Sequence, residues 1–137
     1  MNKIGFIVRL VLPSNNLHGS IPESIDQLTC LRELDLRFNA LAGPIPHSIG
    51  NLSKLMHVHL HCNRLSGEIP LSIGNLTSLV ALDLRSNQLT GSIPSTITHM
   101  TSLTYLALTS NLLDISATAN NKETLKEKIP WCRSIVL

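Results

Sequence analysis

A ten-position template recurs in four successive blocks of this chain and constrains the fold more than any other feature. In blocks of 24 residues starting at Ile4, Leu28, Leu52, Leu76 and Met100, the shared pattern is LxxLxxLxLxxNxLxGxIPxxI. The second block carries Leu28, Leu31, Leu34, Leu36, Asn39, Leu41, Gly43, Ile45, Pro46 and Ile49. The third carries Leu52, Leu55, Val58, Leu60, Asn63, Leu65, Gly67, Ile69, Pro70 and Ile73, and the fourth runs the same way from Leu76 to Ile97. The first fits with Ile standing for Leu, from Ile4, Ile7, Leu10, Leu12 and Asn15 through Leu17, Gly19, Ile21, Pro22 and Ile25. The fifth keeps Met100, Leu103, Leu106, Leu108, Asn111 and Leu113, then places Ile115, Ala117 and Thr118 where the Gly-x-Ile-Pro half would stand. A terminal repeat looks like this when stacking stops and capping begins.

Each template position has a physical reading. The LxL step alternates inward Leu with outward variable residues, the period-two signature of a short strand. Successive blocks lay these strands side by side in parallel. The Asn column (Asn15, Asn39, Asn63, Asn87, Asn111) falls where the chain turns inward. A buried amide there satisfies backbone groups of its own turn and of the neighbouring block, which an apolar side chain could not do. The Gly column permits a backbone angle that other residues resist, and the Ile-Pro step favours an extended chain over an α-helix. The outer side is therefore expected to be extended and 3₁₀-like. Composition agrees: apolar residues make up 43 % of the 137 but aromatics only 3 %, so the core must come from regularly placed Leu and Ile.

The template closely resembles the plant-specific leucine-rich repeat, whose hallmark is the LxGxIP segment after the strand and Asn. The resemblance covers residues 4 to about 113. It implies an α/β fold: a right-handed solenoid of five 24-residue repeats, with a parallel β-sheet on the concave face and extended or 3₁₀ segments on the convex side. It also implies recognition of a protein or peptide ligand, with a co-receptor as a further partner and no cofactor. Such domains occur in receptor-like kinases, receptor-like proteins and polygalacturonase-inhibiting proteins, so signalling or defence is the expected setting. Inhibition of a microbial cell-wall hydrolase and a leaderless intracellular scaffold are the alternatives. Residues 1–113 are expected to form the solenoid and residues 114–137 a capping tail. In that tail Thr124–Glu127 fits a capping box, Leu125 and Ile129 share a helical face, Pro130 ends the helix, and Trp131 covers the last strand. The N-terminal edge has no comparable cover and is expected to fray or self-associate.

With the Leu columns inside, the outward strand positions form three columns: Arg9, Glu33, His57, Ala81, Tyr105; Val11, Asp35, His59, Asp83, Ala107; and Pro13, Arg37, His61, Arg85, Thr109. Ser14, Phe38, Cys62, Ser86 and Ser110 run beside the last. Free of core duty, these positions are the expected ligand contacts, chiefly Arg9, Glu33, Asp35, Arg37, Phe38, His57, His59, His61, Asp83, Arg85 and Tyr105. The basic and acidic members balance, which suits a protein or peptide better than nucleic acid. Asp35 and Asp83 are expected to face outward, and Asp35 and Arg85, as exposed residues, to tolerate Ala. Three readings compete for the histidines. His57 and His59 could share a zinc ion with Asp35 or Asp83, since alternate strand residues stand ~7 Å apart. The cluster could titrate near neutral pH. Or these are ordinary polar contacts of a recognition face.

No reaction-specific constellation is present: His61 and Cys62 are chain neighbours whose side chains diverge, and there is no serine elbow or phosphate loop. The net charge of +2 is small and dispersed. Cys30, Cys62 and Cys132 lack disulfide or zinc-knuckle spacing. The run Ile4–Leu12, broken by Gly5 and Arg9, is far short of the ~20 residues of a membrane helix and makes a poor leader. Asn51 and Asn75 head N-x-S/T sequons, which would accept glycans on a secreted chain. The family suggests the cell surface, while the absence of a leader, cysteine-paired cap, kinase signature and membrane span suggests either a piece of a longer receptor or a small leaderless protein.

Overall fold

The computed structural model describes residues 6–115 and 122–137. Ile4, Gly5, Ala117 and Thr118, all invoked above, lie outside them. In chain order the strands are β1 (Arg9–Val11), β2 (His18–Gly19), β3 (Glu33–Asp35), β4 (Ala40–Gly43) and β5 (His57–His59). Then follow β6 (Arg64–Glu68), β7 (Ala81–Asp83), β8 (Gln88–Thr90), β9 (Tyr105–Ala107) and β10 (Ser134–Val136). One helix, α1 (Lys122–Lys128), precedes β10.

The strands of the LxL steps form the concave sheet, β1-β3-β5-β7-β9-β10, all parallel. The register is one block per strand: Leu10 pairs with Leu34, Leu34 with Val58, Val58 with Leu82 and Leu82 with Leu106. A second, shorter ladder, β2-β4-β6-β8, follows the Asn turns. Beyond it, Pro22, Pro46, Pro70 and Pro94 each sit in extended backbone and launch a five-residue 3₁₀ turn. Proline fixes the entry angle, and without a helix-length run of good formers the turn stops after five residues.

Between the two ladders the template Leu and Ile side chains make one continuous core; Leu31, Leu34, Ile49, Leu52, Leu55, Val58, Leu60, Leu65, Leu76, Leu79, Leu84 and Leu89 are fully buried. The Asn column does what its position requires. The Asn63 carboxamide donates to Leu36 O and Leu60 O at 2.9 and 3.1 Å, while its oxygen accepts from Leu41 N at 3.0 Å. Asn39, Asn87 and Asn111 repeat this bridge between blocks. The Gly column holds φ between 73° and 85°.

A hydroxyl ladder on the convex side was not anticipated. Ser48, Ser72 and Thr96 donate to the carbonyls of Glu23, His47 and Leu71 one block earlier, at 2.6 to 2.7 Å. These bonds tie successive 3₁₀ turns together.

The tail does more than cap. Leu125 and Ile129 are buried as a shared helical face should be, and Trp131 Nε1 donates to Met100 O at 3.0 Å. The helix, however, begins at Lys122, so Thr124 lies inside it and is not its cap. The chain then adds β10 to the sheet, placing Ser134 beside Tyr105 and Val136 beside Ala107. At the opposite edge Phe6, Ile7, Val8, Val11 and Leu12 are exposed and Leu10 is only half-buried.

Candidate functional site

The strand register puts the outward residues into columns across the concave face. Arg9, Glu33, His57, Ala81 and Tyr105 pair in sequence along one column, and Val11, Asp35, His59, Asp83 and Ala107 along the next. Just past each strand the chain turns through a left-handed residue: Ser14, Phe38, Cys62, Ser86 and Ser110 all have φ between 53° and 58°. Side chains other than glycine adopt this region at a cost of order 1 kcal/mol, which the bonds of the adjacent Asn offset. The turn aims Phe38 outward, 54 % exposed, with its ring edge-on to His61 at 5.3 Å.

Burial divides the expected contact residues. Arg9 and Phe38 are exposed, while Glu33, Arg37, His57, His59, Arg85 and Tyr105 are half-buried and reachable. Asp35, His61 and Asp83 are not: they are 4, 8 and 3 % exposed. This corrects the expectation that both aspartates stand free. In the tight parallel spacing of the strands, a short side chain at a central position is covered by its longer neighbours.

Each carboxylate is engaged. Asp35 lies 3.4 Å from Arg37 Nε and accepts from Arg37 N at 3.2 Å. Asp83 is held more firmly: Arg85 Nε donates to Oδ1 at 2.9 Å, Arg85 Nη2 to Oδ2 at 2.6 Å, and Arg85 N to Oδ1 at 3.2 Å. Burial alone would raise the Asp83 carboxyl, but the Arg85 bonds and the nearby His61 bring it below its ordinary 3.8. Glu33 pairs with Arg9, whose hydrogen bond lowers its pKa.

The three histidines are not equivalent. His57 and His59 stack with centroids 6.4 Å apart, whereas His59 and His61 meet edge to face at the same distance. Burial pushes the His61 imidazole below its ordinary 6.5; Asp83 pulls it upward, and Arg85, Arg37 and His59 add to the lowering. His61 Nδ1 lies 3.2 Å from Asp83 Oδ2, yet without the alignment of a hydrogen bond. The groups gathered within ligand distance of one another are His59, His61 and Asp83. The expected set of His57 and His59 with Asp35 or Asp83 is therefore corrected: His61, just past the end of β5, lies beside Asp83 of β7, while His57 is at the start of β5 with its ring stacked on His59.

Sequence reasoning missed the contribution of Ser134 and Val136 to the face, because a three-residue strand in a tail outside the template carries no periodic signal. It also missed an open groove on the Ile-Pro side, lined by Pro44, Ile45, Pro70, Leu71, Ile93 and Pro94. Asn51 and Asn75 are both exposed at the ends of 3₁₀ turns, and Asn51 donates to Asp26 at 3.0 Å. Cys30, Cys62 and Cys132 are free thiols. No helix among the described residues is long and apolar enough to cross a membrane.

A parallel sheet of repeat strands, an Asn ladder and Pro-initiated 3₁₀ turns define a leucine-rich-repeat solenoid of the plant receptor-ectodomain type. The chain belongs to the leucine-rich-repeat family: the model of the leucine-rich repeat region matches residues 9–127. Among solved structures it is similar to a TDR receptor, at 37 % identity and a TM-score of 0.84 over 94 % of this chain and 22 % of that one. It is similar to a chain of the BIR3–SERK2 complex from Arabidopsis thaliana, at 42 % identity and a TM-score of 0.73 over 76 % of this chain and 56 % of that one. It also resembles the plant peptide hormone receptor RGFR1 in complex with RGF2, at 39 % identity and a TM-score of 0.75 over 77 % of this chain and 17 % of that one. The chain thus spans roughly a fifth to just over half of these proteins. No match was found among curated proteins.

Proposed function

We propose that the concave face binds an extended segment of a protein or peptide, without catalysing a reaction on it. The observation that carries this reading is the register itself. It sets Arg9, Glu33, His57 and Tyr105 in one column, with Arg37, Arg85 and exposed Phe38 at the adjoining turns, as a contiguous surface of both charge signs. Six strands at ~4.8 Å spacing make a face ~24 Å across, enough for a run of roughly seven extended residues. An exposed aromatic beside paired charges is a common anchor for such a segment.

The similar solved structures support the same reading, since one is the plant peptide hormone receptor RGFR1 in complex with RGF2 and another is the BIR3–SERK2 complex. A second receptor-type chain is accordingly a further partner. Catalysis is disfavoured because the carboxylates are spent on their arginines: Asp83 on Arg85, Asp35 on Arg37 and Glu33 on Arg9.

The test is selection of binders from a random peptide display library, followed by affinity measurement. Selected peptides should bind an Arg37→Ala/Phe38→Ala/His57→Ala variant about tenfold or more weakly, a loss of ~1.4 kcal/mol or more. A convex-side Leu71→Ala variant should bind them normally. Equal affinity for the concave triple variant would remove this face from the reading.

A further inference from the structure

We propose that His59, His61 and Asp83 form a binding site for a divalent transition-metal ion of the imidazole-preferring class, with zinc as its representative. The proposal stands whether or not the face binds a peptide.

Three observations converge. One nitrogen from each histidine and one carboxylate oxygen lie within 4.8 Å of one another, although the residues come from β5, the segment just after it, and β7. His61 Nδ1 is the one buried side-chain nitrogen or oxygen among the described residues that has no hydrogen-bond partner. It lies 3.2 Å from Asp83 Oδ2, so an imidazole nitrogen and a carboxylate oxygen stand side by side with no hydrogen bond between them. A buried polar atom left this way is costly, and a cation between the two groups removes the cost.

The separation fits a metal. Zinc holds nitrogen and oxygen ligands at ~2.0–2.1 Å, and at a tetrahedral angle two such ligands stand about 3.3 Å apart. That value is close to the 3.2 Å between Nδ1 and Oδ2. His59 is only half-buried and completes the set by a side-chain rotation. Arg85 donates to both oxygens of Asp83, including the Oδ2 that faces His61, fixing the carboxylate as an outer partner commonly does for a metal ligand. The charge of Arg85 opposes a cation, but its side chain is 38 % exposed and that charge is shared with solvent and with Asp83.

Two nitrogens and one oxygen select against calcium and magnesium, which prefer oxygen alone, and in favour of zinc, copper or nickel. Three protein ligands leave a fourth position for water or for a donor from a partner.

The experiment is calorimetric titration of the full 137-residue chain with zinc chloride near neutral pH, with circular dichroism confirming the fold of each variant. Wild type should bind one zinc ion per chain. His59→Ala, at a half-buried position outside the core, should weaken binding by roughly tenfold or more. His57→Ala, on the same strand but outside the cluster, and Cys62→Ser, beside His61, should bind as wild type does. Absence of saturable binding to wild type overturns the site. Loss in His57→Ala equal to that in His59→Ala, or loss in Cys62→Ser, also overturns it by placing the metal elsewhere. Asp83→Asn keeps the shape of the side chain and removes its charge; unchanged affinity there overturns the role given to Asp83.

Discussion

Asp83 and Asp35 occupy equivalent template positions, yet their surroundings give them different weight. Asp83 accepts three hydrogen bonds from Arg85, two of them from the guanidinium, while Asp35 accepts one from Arg37 N and meets its guanidinium at 3.4 Å. Asp83→Ala should therefore cost about 1.5–3 kcal/mol, the range for a buried hydrogen bond to a charged group, and Asp35→Ala less. Urea denaturation of both variants checks the order; equal small losses would mean that these bonds carry no net stability. His61 adds a pH dependence. Its folded pKa lies below 6.5, so in the window from 6.5 down to the folded value the unfolded chain binds more protons than the folded one. Stability is full above that window and is lost as pH falls through it, the reverse of a histidine that gains a carboxylate partner on folding. Urea midpoints measured with a chelator on either side of pH 6.5 should show the loss in wild type and a flatter response in His61→Gln. The burial of Leu34 and Leu60 was readable from the template because a period-two strand fixes which side faces in. The burial of Asp35, His61 and Asp83 was not, since it depends on which long side chains lean over from neighbouring strands.

At the scale of elements, the strands, the Asn turns and the Pro-initiated 3₁₀ turns all follow from positions in the repeat, and the structure places them there. What escaped either carries no distinctive residue type or lies outside the repeat. The hydroxyl ladder of Ser48, Ser72 and Thr96 uses residues that fit an exposed turn equally well, and β10 is three residues long. The hydroxyl ladder reveals how closely the convex turns stack. Gly74 sits inside such a turn, and a Cβ built on it would come within 2.4 Å of Thr96 Cβ and 2.6 Å of Thr96 O. Because one of those atoms is backbone, the 3₁₀ turn of the fourth block would have to move away. Gly74→Ala should thus destabilise by ~1–3 kcal/mol or more, as overpacking does. Gly74→Ala combined with Thr96→Ala should recover little, since both the backbone oxygen and the Cβ that alanine retains stay in place; full recovery in thermal denaturation would mean that the Thr96 atoms beyond Cβ alone set the spacing.

The whole molecule is a one-dimensional stack, in which each block contacts its neighbours and stability is approximately a sum of repeats and interfaces. The two ends of that sum differ. At one end α1, Trp131 and β10 cover the fifth block, and Leu103, Leu106 and Leu108 are buried beneath them. At the other, Leu12 is 38 % exposed and Leu10 half-buried, although their template equivalents Leu60 and Val58 are fully buried. The same residue type at the same template position should therefore carry very different weight along the solenoid. Leu60→Ala should cost ~2–5 kcal/mol, because a fully buried leucine leaves a cavity. Leu12→Ala should cost under ~1 kcal/mol, because little area is buried and solvent fills the space. Amide hydrogen exchange should follow the same gradient. The amides of β1 and β2 should exchange through local opening of the first block, and those of β5 and β7 only through opening of the neighbouring stack. The bonds that Leu12 N donates to Asp35 O and Leu60 N to Asp83 O make a matched pair for this comparison, at 2.8 and 2.9 Å. Nearly equal length and equal template position leave the edge strand and its looser packing as the difference between them, so equal protection at Leu12 and Leu60 would refute a stack that loosens from its first block.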